Sequence, residues 1–367
     1  MKKSTNKKGE STRTMAEGAA AVGLDLSDRS GRFYGIDDEG LLIEQGSVAV
    51  RAGDLQGWAM SIGKTVIAIE AGTHSPWVSR LLSACGHEVI VANPVKVALI
   101  SQNNQKRDDI DAEILARLAR ADRKLLHPVQ HRGEQAQIDL QLIRSRDVVV
   151  QSRTKLIGHV RGAVKSFGER LPGCSTEAFV NTTKDLIPEN LRAALAPVLA
   201  LIDQLTKTIN KYDRQIDKLV KEQYPEVERL TQVGGVGTLT GLTYVLVLED
   251  AARFKSSRSV GPYLGLTSKQ DQSGTSDPQL GITKAGDRLL RRLLVQGSQY
   301  ILGHFGQDCD LRRHGEKLAA RGGKRAKKRA VIAVARKLAV LLHRLWVSGE
   351  AYDPLRNNPK AKSQVAA

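Results

Sequence analysis

The chain has 367 residues, too many for one ordinary hydrophobic core, so two or three domains are expected. Its 56 Lys and Arg against 39 Asp and Glu leave a net charge of +17, which points to a polyanion partner, nucleic acid being the usual one. Three scattered cysteines, Cys85, Cys174 and Cys309, form no CxxC pair and argue against a disulfide framework or thiolate zinc site; no apolar run reaches the ~18 residues of a membrane span, so a cytoplasmic, nucleoid-associated protein with no membrane partner is expected.

Residues 1–20 begin MKKSTNKKGESTR, basic and without the apolar stretch of a signal peptide, and read as a disordered arm. Residues 21–130 alternate strands and helices. AVGLDLS is a strand, and GRFYGIDDEGLLIEQGSVAV is two more around a turn at Asp37 to Gly40. A short helix over Asp54 to Ile62, a buried strand TVIAIEA, a helix SPWVSRLLSACG closed by Gly86 and a strand HEVIVANP follow. Asp108 to Ala121 is an amphipathic helix with Ile110, Ile114 and Leu118 at helical spacing. Three meandering strands followed by strand–helix units predict a mixed α/β sheet with helices on both faces.

Residues 131–226 lose the strand signal. Ile138, Leu142, Leu156, Val160 and Val164 repeat at helical spacing, as do Leu195, Leu199, Ile202, Leu205, Ile209 and Ile216, with Pro172-Gly173 and Pro188 between the arms. The pattern predicts a helical hairpin or coiled-coil-like insert serving self-association into a dimer or tetramer. Residues 227–350 read as a mostly helical domain that opens on VGGVGTLTG, and 351–367 as a tail.

Four carboxylates stand out. Asp25 interrupts an apolar strand, which is costly unless it is paired or binds a cation. Glu70 ends the fourth strand, beside Asp25 if the first and fourth strands are neighbours. Asp108 and Asp111 lie three apart on one helical face. A divalent cation would relieve the repulsion, and oxygen ligands suit Mg2+ or Mn2+, the ions of two-metal phosphoryl transfer. Each acid also has a purely structural reading: Asp108 and Asp111, like Asp109, could be early-turn acids complementing a helix dipole.

GLDLSD around Asp25, AIEAG around Glu70, VANP, and KRDDIDA around Asp108 and Asp111 together resemble the RuvC-like, RNase-H-like domain of the DEDD insertion-sequence transposases of the "IS-one-ten" group, with its Piv-type invertases. Arg107 stands where that family usually has Thr, and the Asp-x-x-Asp-Ala spacing sets the register. The resemblance continues in VGGVGTLTGLTYVLVLED and in QSGTSDPQLGITKAGDRLLRRLL, similar to the family's Ser-Gly…Lys-x-Gly…Arg block. It implies that Ser273 corresponds to the catalytic serine, with Ser276 as the fallback; from the residues alone Ser273 is a turn serine beside Gly274. It further implies cutting and rejoining of donor and target DNA through a phosphoserine intermediate, dependence on Mg2+, and target choice by a guide (bridge) RNA.

Lys284, Arg288, Arg291 and Arg292, then Lys324, Arg325, Lys327, Lys328 and Arg329 within the run RRHGEKLAARGGKRAKKR, are the candidate nucleic-acid contacts. A solvated charge run is the plain alternative. With four acids in one domain and the serine in another, a composite site between subunits is expected. Two rival functions remain: a Holliday-junction or structure-specific endonuclease using the same acids with metal-activated water, and a non-catalytic nucleic-acid-binding protein.

Overall fold

A computed structural model describes residues 13–97, 108–274, 276, 278 and 280–357. The chain forms two compact units, Met1–Arg132 and Gly133–Ala367.

The N-terminal unit is built on β1 (Ala21–Leu26), β2 (Ser30–Ile36), β3 (Leu42–Ala49), β4 (Val66–Glu70) and β5 (Glu88–Ala92), with helices α1 (Ala52–Ser61), α2 (Ser75–Ala84) and α3 (Asp108–Ala121). The sheet order is β3-β2-β1-β4-β5; β2 runs antiparallel to both β1 and β3, and β1, β4 and β5 run parallel. This is the mixed sheet expected from the meander followed by strand–helix units. The β2–β3 turn is pinned by Asp37, whose Oδ1 accepts from the backbone N–H of Glu39 and Leu41, and Gly40 supplies the positive φ of 83°.

One face of the sheet carries α1 and α2 over Val22, Leu24, Ile67 and Ile69. The other carries α3 over Ala21, Tyr34, Ala68 and Ile90. The inward stripe of α3 is Ala112, Leu115, Ala116 and Ala119, whereas Ile114 and Leu118, expected on that stripe, are only partly buried. Small residues face inward because the helix backbone nearly touches the sheet. A Cβ on Gly23 would stand 1.9 Å from the Ala112 carbonyl oxygen and 2.7 Å from the Ala116 nitrogen. Residues 13–20, assigned to the disordered arm from sequence, instead join this unit: Met15 is buried, its sulfur packed against Gly35, and Gly18 lies against Gly63.

The second unit contains α4 (Glu134–Ser166), α5 (Phe179–Thr183), α6 (Glu189–Gln223), α7 (Glu226–Thr231), α8 (Thr238–Leu248), α9 (Val260–Tyr263), α10 (Arg288–Leu302), α11 (Asp310–Ala319) and α12 (Ala326–Ser348). Helix α8 is buried from Thr240 to Leu248, so it is apolar all round, and Tyr244 Oη donates to the Ala339 carbonyl at 2.6 Å inside the core. The insert takes the hairpin form of the two read from the helical spacing, with α4 and α6 as its arms, and it lies within this unit. Its near end contributes Leu140, Ile143 and Ile216 to the core around α8, and its far end closes a smaller core from Val160, Val164, Phe179 and Ile202. The segment after α12 is no free tail up to residue 357: Leu355 is buried, and Pro354 O accepts from Asp310 N at 2.7 Å.

A Gly23→Ala protein forces α3 off β1 and should lose about 2 kcal/mol of unfolding free energy, the range of an overpacked core. Chemical denaturation measures it, and a midpoint equal to the parent's would contradict the close packing.

Candidate metal centre and nucleic-acid interface

The β1–β4 register pairs Leu24 with Ile69, so Asp25 and Glu70, the next residue of each strand, stand level on adjacent parallel strands. Neighbouring strands are about 4.8 Å apart, and side chains alternate between faces. Gly23 meets α3 directly, and Ala68 packs in the core beneath α3. Asp25 and Glu70 each lie two residues further along, and therefore point to that same face. Both are half-buried. Helix α3 begins at Asp108 and brings Asp111, 4% exposed, beside Ala112, the residue in contact with Gly23. Asp25 and Glu70 thus share the C-terminal edge of the two interior strands β1 and β4, and Asp111 lies on the helix that covers that face. The side chain of Asp108 lies outside the described residues, as does Arg107. Among the described residues, no group of three or more His, Cys, Asp or Glu side chains stands at metal-holding geometry.

Two neighbours of this edge escaped the sequence reading. Arg32 faces Asp25 across the antiparallel β1–β2 ladder, on the α3 face and exposed. Only the register reveals it, because opposed residues share a face. The second is a knot in the loop after Glu70. Ser75 Oγ accepts from Gly72 N–H at 2.9 Å and donates to Gly72 O at 2.8 Å, so the 2.8 Å contact to His131 Nε2 places the proton on that nitrogen. Burial lowers the His131 pKa, and the charges of Arg132 and Arg80 lower it further. His74 precedes α2 and accepts from Trp77 Nε1 at 3.1 Å, in keeping with a helix-start role.

In the second unit, the described residues between 268 and 282 form an irregular ribbon. Ser268 bridges Ile282, and Ser273 bridges Ser276 at the tip, with Gly274 at φ 57°. Ser273 and Ser276 are both exposed and, being opposed, share a face of the ribbon. Lys284 follows at φ 59°, a costly conformation for a side chain with a Cβ, held by Lys284 N–H to Gly265 O at 3.1 Å and Thr283 N–H to Thr267 O at 2.9 Å. The glycines of VGGVG have a packing reason: Gly235, at φ 83°, lies where a Cβ would meet Gly297 O at 2.7 Å.

The candidate cations divide in two. Arg291 donates to the carbonyls of Leu264 (3.1 Å) and Ala285 (2.6 Å), and Arg292 pairs with Asp147. These two brace the fold, half-buried guanidinium groups satisfying nearby acceptors. Lys284, Arg288, Lys324, Arg325, Lys327, Lys328 and Arg329 are exposed. The last five surround the turn at Gly322 and Gly323 between α11 and α12.

Residues 22–168 match a family model for a DEDD transposase of IS110 type, a span that contains all four acids. Residues 227–311 match the transposase family described as IS116/IS110/IS902, a span that contains Ser273 and Lys284. The chain is 27% identical over 343 residues to the transposase for insertion sequence element IS1111A of Coxiella burnetii, covering 90% of each protein. It is 31% identical over 296 residues to a Sinorhizobium fredii protein named as transposase y4pF/y4sB, covering 78% of this chain and 74% of that one. To the transposase for insertion sequence element IS1328 of Yersinia enterocolitica it is 29% identical over 234 residues, 63% of this chain and 69% of that one.

His131 is disfavoured as imidazolium in the fold, so the unfolded chain binds more protons below its ordinary pKa of about 6.5. Its contribution to stability is complete above that pH and declines as pH falls toward the lowered folded value. In His131→Gln, the acid limb of a stability–pH curve should be flatter than in the parent; equal limbs would refute the burial cause. For Lys284→Gly, relief of the left-handed conformation outweighs the added chain entropy, and thermal unfolding should show a gain of about 0.5 kcal/mol.

Proposed function

The chain belongs to the IS116/IS110/IS902 transposase family, and on that premise we propose that it cuts and rejoins DNA with Mg2+ (or Mn2+) held by Asp25, Glu70, Asp108 and Asp111 and with Ser273 as nucleophile. The observation that carries this reading is the level placement of Asp25 and Glu70 on adjacent strands, under the helix that begins at Asp108 and brings in Asp111. Hard carboxylate oxygens on one edge are the donor set such an ion takes. When bound, the ion polarises the phosphoryl oxygens and stabilises charge on the attacking and departing oxygens.

Ser273 Oγ attacks phosphorus, its bond to the phosphorus forms as the bridging ester bond of the DNA strand breaks, and the released strand carries away the displaced oxygen as a hydroxyl. The serine gives up one proton and the leaving oxygen gains one, so the exchange is balanced and needs no external energy source. A DNA hydroxyl then attacks the phosphoserine, rejoining the strand and restoring Ser273. The exposed tip position of Ser273 supports this role, since a nucleophile for DNA must be reachable. Exposed Lys284, Arg288, Lys324, Arg325, Lys327, Lys328 and Arg329 bind the phosphate backbone in this reading. A guide RNA as selector of donor and target is part of the same reading, supported by the family resemblance and the +17 charge. So is a dimer or tetramer, supported by Ile138, Val148 and Leu201, exposed on the α4–α6 hairpin.

Ser273→Ala should abolish both recombination and the covalent protein–DNA adduct on a denaturing gel, while Asp25→Asn should abolish strand cleavage and leave DNA binding intact. An adduct that persists in Ser273→Ala but not in Ser276→Ala would move the nucleophile to Ser276. Normal cleavage by Ser273→Ala without any adduct in the parent would favour a nuclease using metal-activated water.

A further inference from the structure

A cleft of about 1260 Å³ opens along one side of α12 and α11. Its α12 wall is a helical stripe, Lys328, Ile332, Arg336, Val340 and Arg344; its α11 wall is Leu311, His314 and Leu318, continuing to Arg321. The third wall is the base of the Ser273 ribbon, Ser268 with Leu280 to Ile282. Nine Lys or Arg line the cleft against two Asp. Among the described residues Arg258, Arg321, Arg325, Lys328, Arg336 and Lys337 carry no ion pair, and the buried Nε of Arg344 makes no hydrogen bond. Leu266, Leu280, Ile282, Leu318 and Ile332 supply apolar surface between these cations.

Dimensions narrow the occupant. From Arg325 to Arg344 the helix runs about 28 Å. Spread along that length, the volume corresponds to an opening roughly 10 Å across, too narrow to admit a duplex, whose two groove depths alone come to about 16 Å. The volume also exceeds the roughly 300–1,000 Å³ of a small-molecule site. A duplex turns phosphates outward and hides its base faces, so apolar floor would go unused. An unpaired strand presents both, with bases for the apolar patches and phosphates for the cations.

We propose that this cleft holds an unpaired DNA strand next to the phosphodiester that Ser273 attacks. The proposal rests on the recombinase reading and goes beyond it by naming the strandedness of the DNA and its seat. Ser273 is five residues from Ser268 in the cleft wall, at most about 17 Å along the ribbon, so a strand seated there continues to the tip. His314 is held toward its neutral form by burial and by Lys337, Arg321 and Lys317, the environment of a wall built for an anion.

The test uses the full chain and fluorescence anisotropy with a 12-nucleotide DNA strand, the same strand as RNA, and the 12-base-pair duplex. Leu318→Ser/Ile332→Ser should weaken single-stranded DNA at least tenfold and leave duplex binding within twofold. Arg321→Ala/Arg336→Ala, at exposed positions that spare the core, should weaken the single strand and reduce its log–log salt slope by about 1.4, two phosphate contacts. Equal loss on strand and duplex, no loss in either variant, tighter RNA than DNA binding, or displacement of the strand by an acidic amphipathic peptide with no effect on duplex would each overturn the proposal. If the parent bound neither strand nor duplex, the nucleic-acid reading itself would fall, a result distinct from loss confined to the cleft variants.

Discussion

The near-contact between α3 and β1 at Gly23 is the constraint on which the N-terminal unit turns. With no side chain there, helix and strand backbones approach far more closely than two ordinary residues allow. The small inward residues of α3 follow, because anything larger than alanine at positions 112 and 116 would lift the helix away. The seating also sets where α3 begins relative to the sheet. Asp111 is carried on the helix that covers the face to which Asp25 and Glu70 point at the end of β1 and β4, so one steric vacancy brings this helix to that end of the strands.

A comparable division holds in the second unit. Helix α8 is wholly enclosed and rigidifies the core, while close backbone approaches at Gly235 and Gly286 clamp neighbouring turns onto it. The ribbon carrying Ser273 has few buried side chains of its own and is tied at its base by Ser268–Ile282 and by the left-handed Lys284. Strain at Lys284 is sustained because both flanking amides are hydrogen-bonded to residues 265 and 267. An exposed tip on a clamped base suits a residue that must meet an external strand without losing its aim.

The existence of the strands and helices was legible because periodicity and turn residues act locally: the Asp37–Gly40 turn, Pro94 and Gly86 each end their elements as expected. The adjacency of Asp25 and Glu70 was legible because it needs only that the first and fourth strands be neighbours, as they are. What was hidden depends on distance along the chain. Arg32 opposite Asp25 needs the register, and His131 reaches Ser75 over 56 residues. Ile114 and Leu118 misled because hydrophobicity alone ranks them above Ala112 and Ala116, whereas the Gly23 contact selects for size. The hairpin of α4 and α6 looked like an independent insert because its period is regular throughout, and only packing shows Leu140 and Ile216 sharing the core of α8.

Charge is the last property that the fold redistributes. A surplus of 17 positive charges reads in sequence as an excess with a dense run over residues 312–329, without telling which cations the fold uses internally. In the structure, several arginines are spent internally: Arg312 donates to the carbonyls of Ile301, Gly303 and Gly306, Arg146 pairs with Asp213, and Arg292 with Asp147. Removing such residues from the surface concentrates the remaining excess on the turn between α11 and α12 and along the cleft beside it. Planar, multidentate guanidinium groups are suited to capturing several backbone acceptors at once, while the lysines of the 324–328 segment, being mobile point charges, suit phosphates whose positions vary with sequence. The same residue type therefore has opposite consequences on the two sides of the burial boundary, stiffening the scaffold in one place and leaving a field for a polyanion in the other.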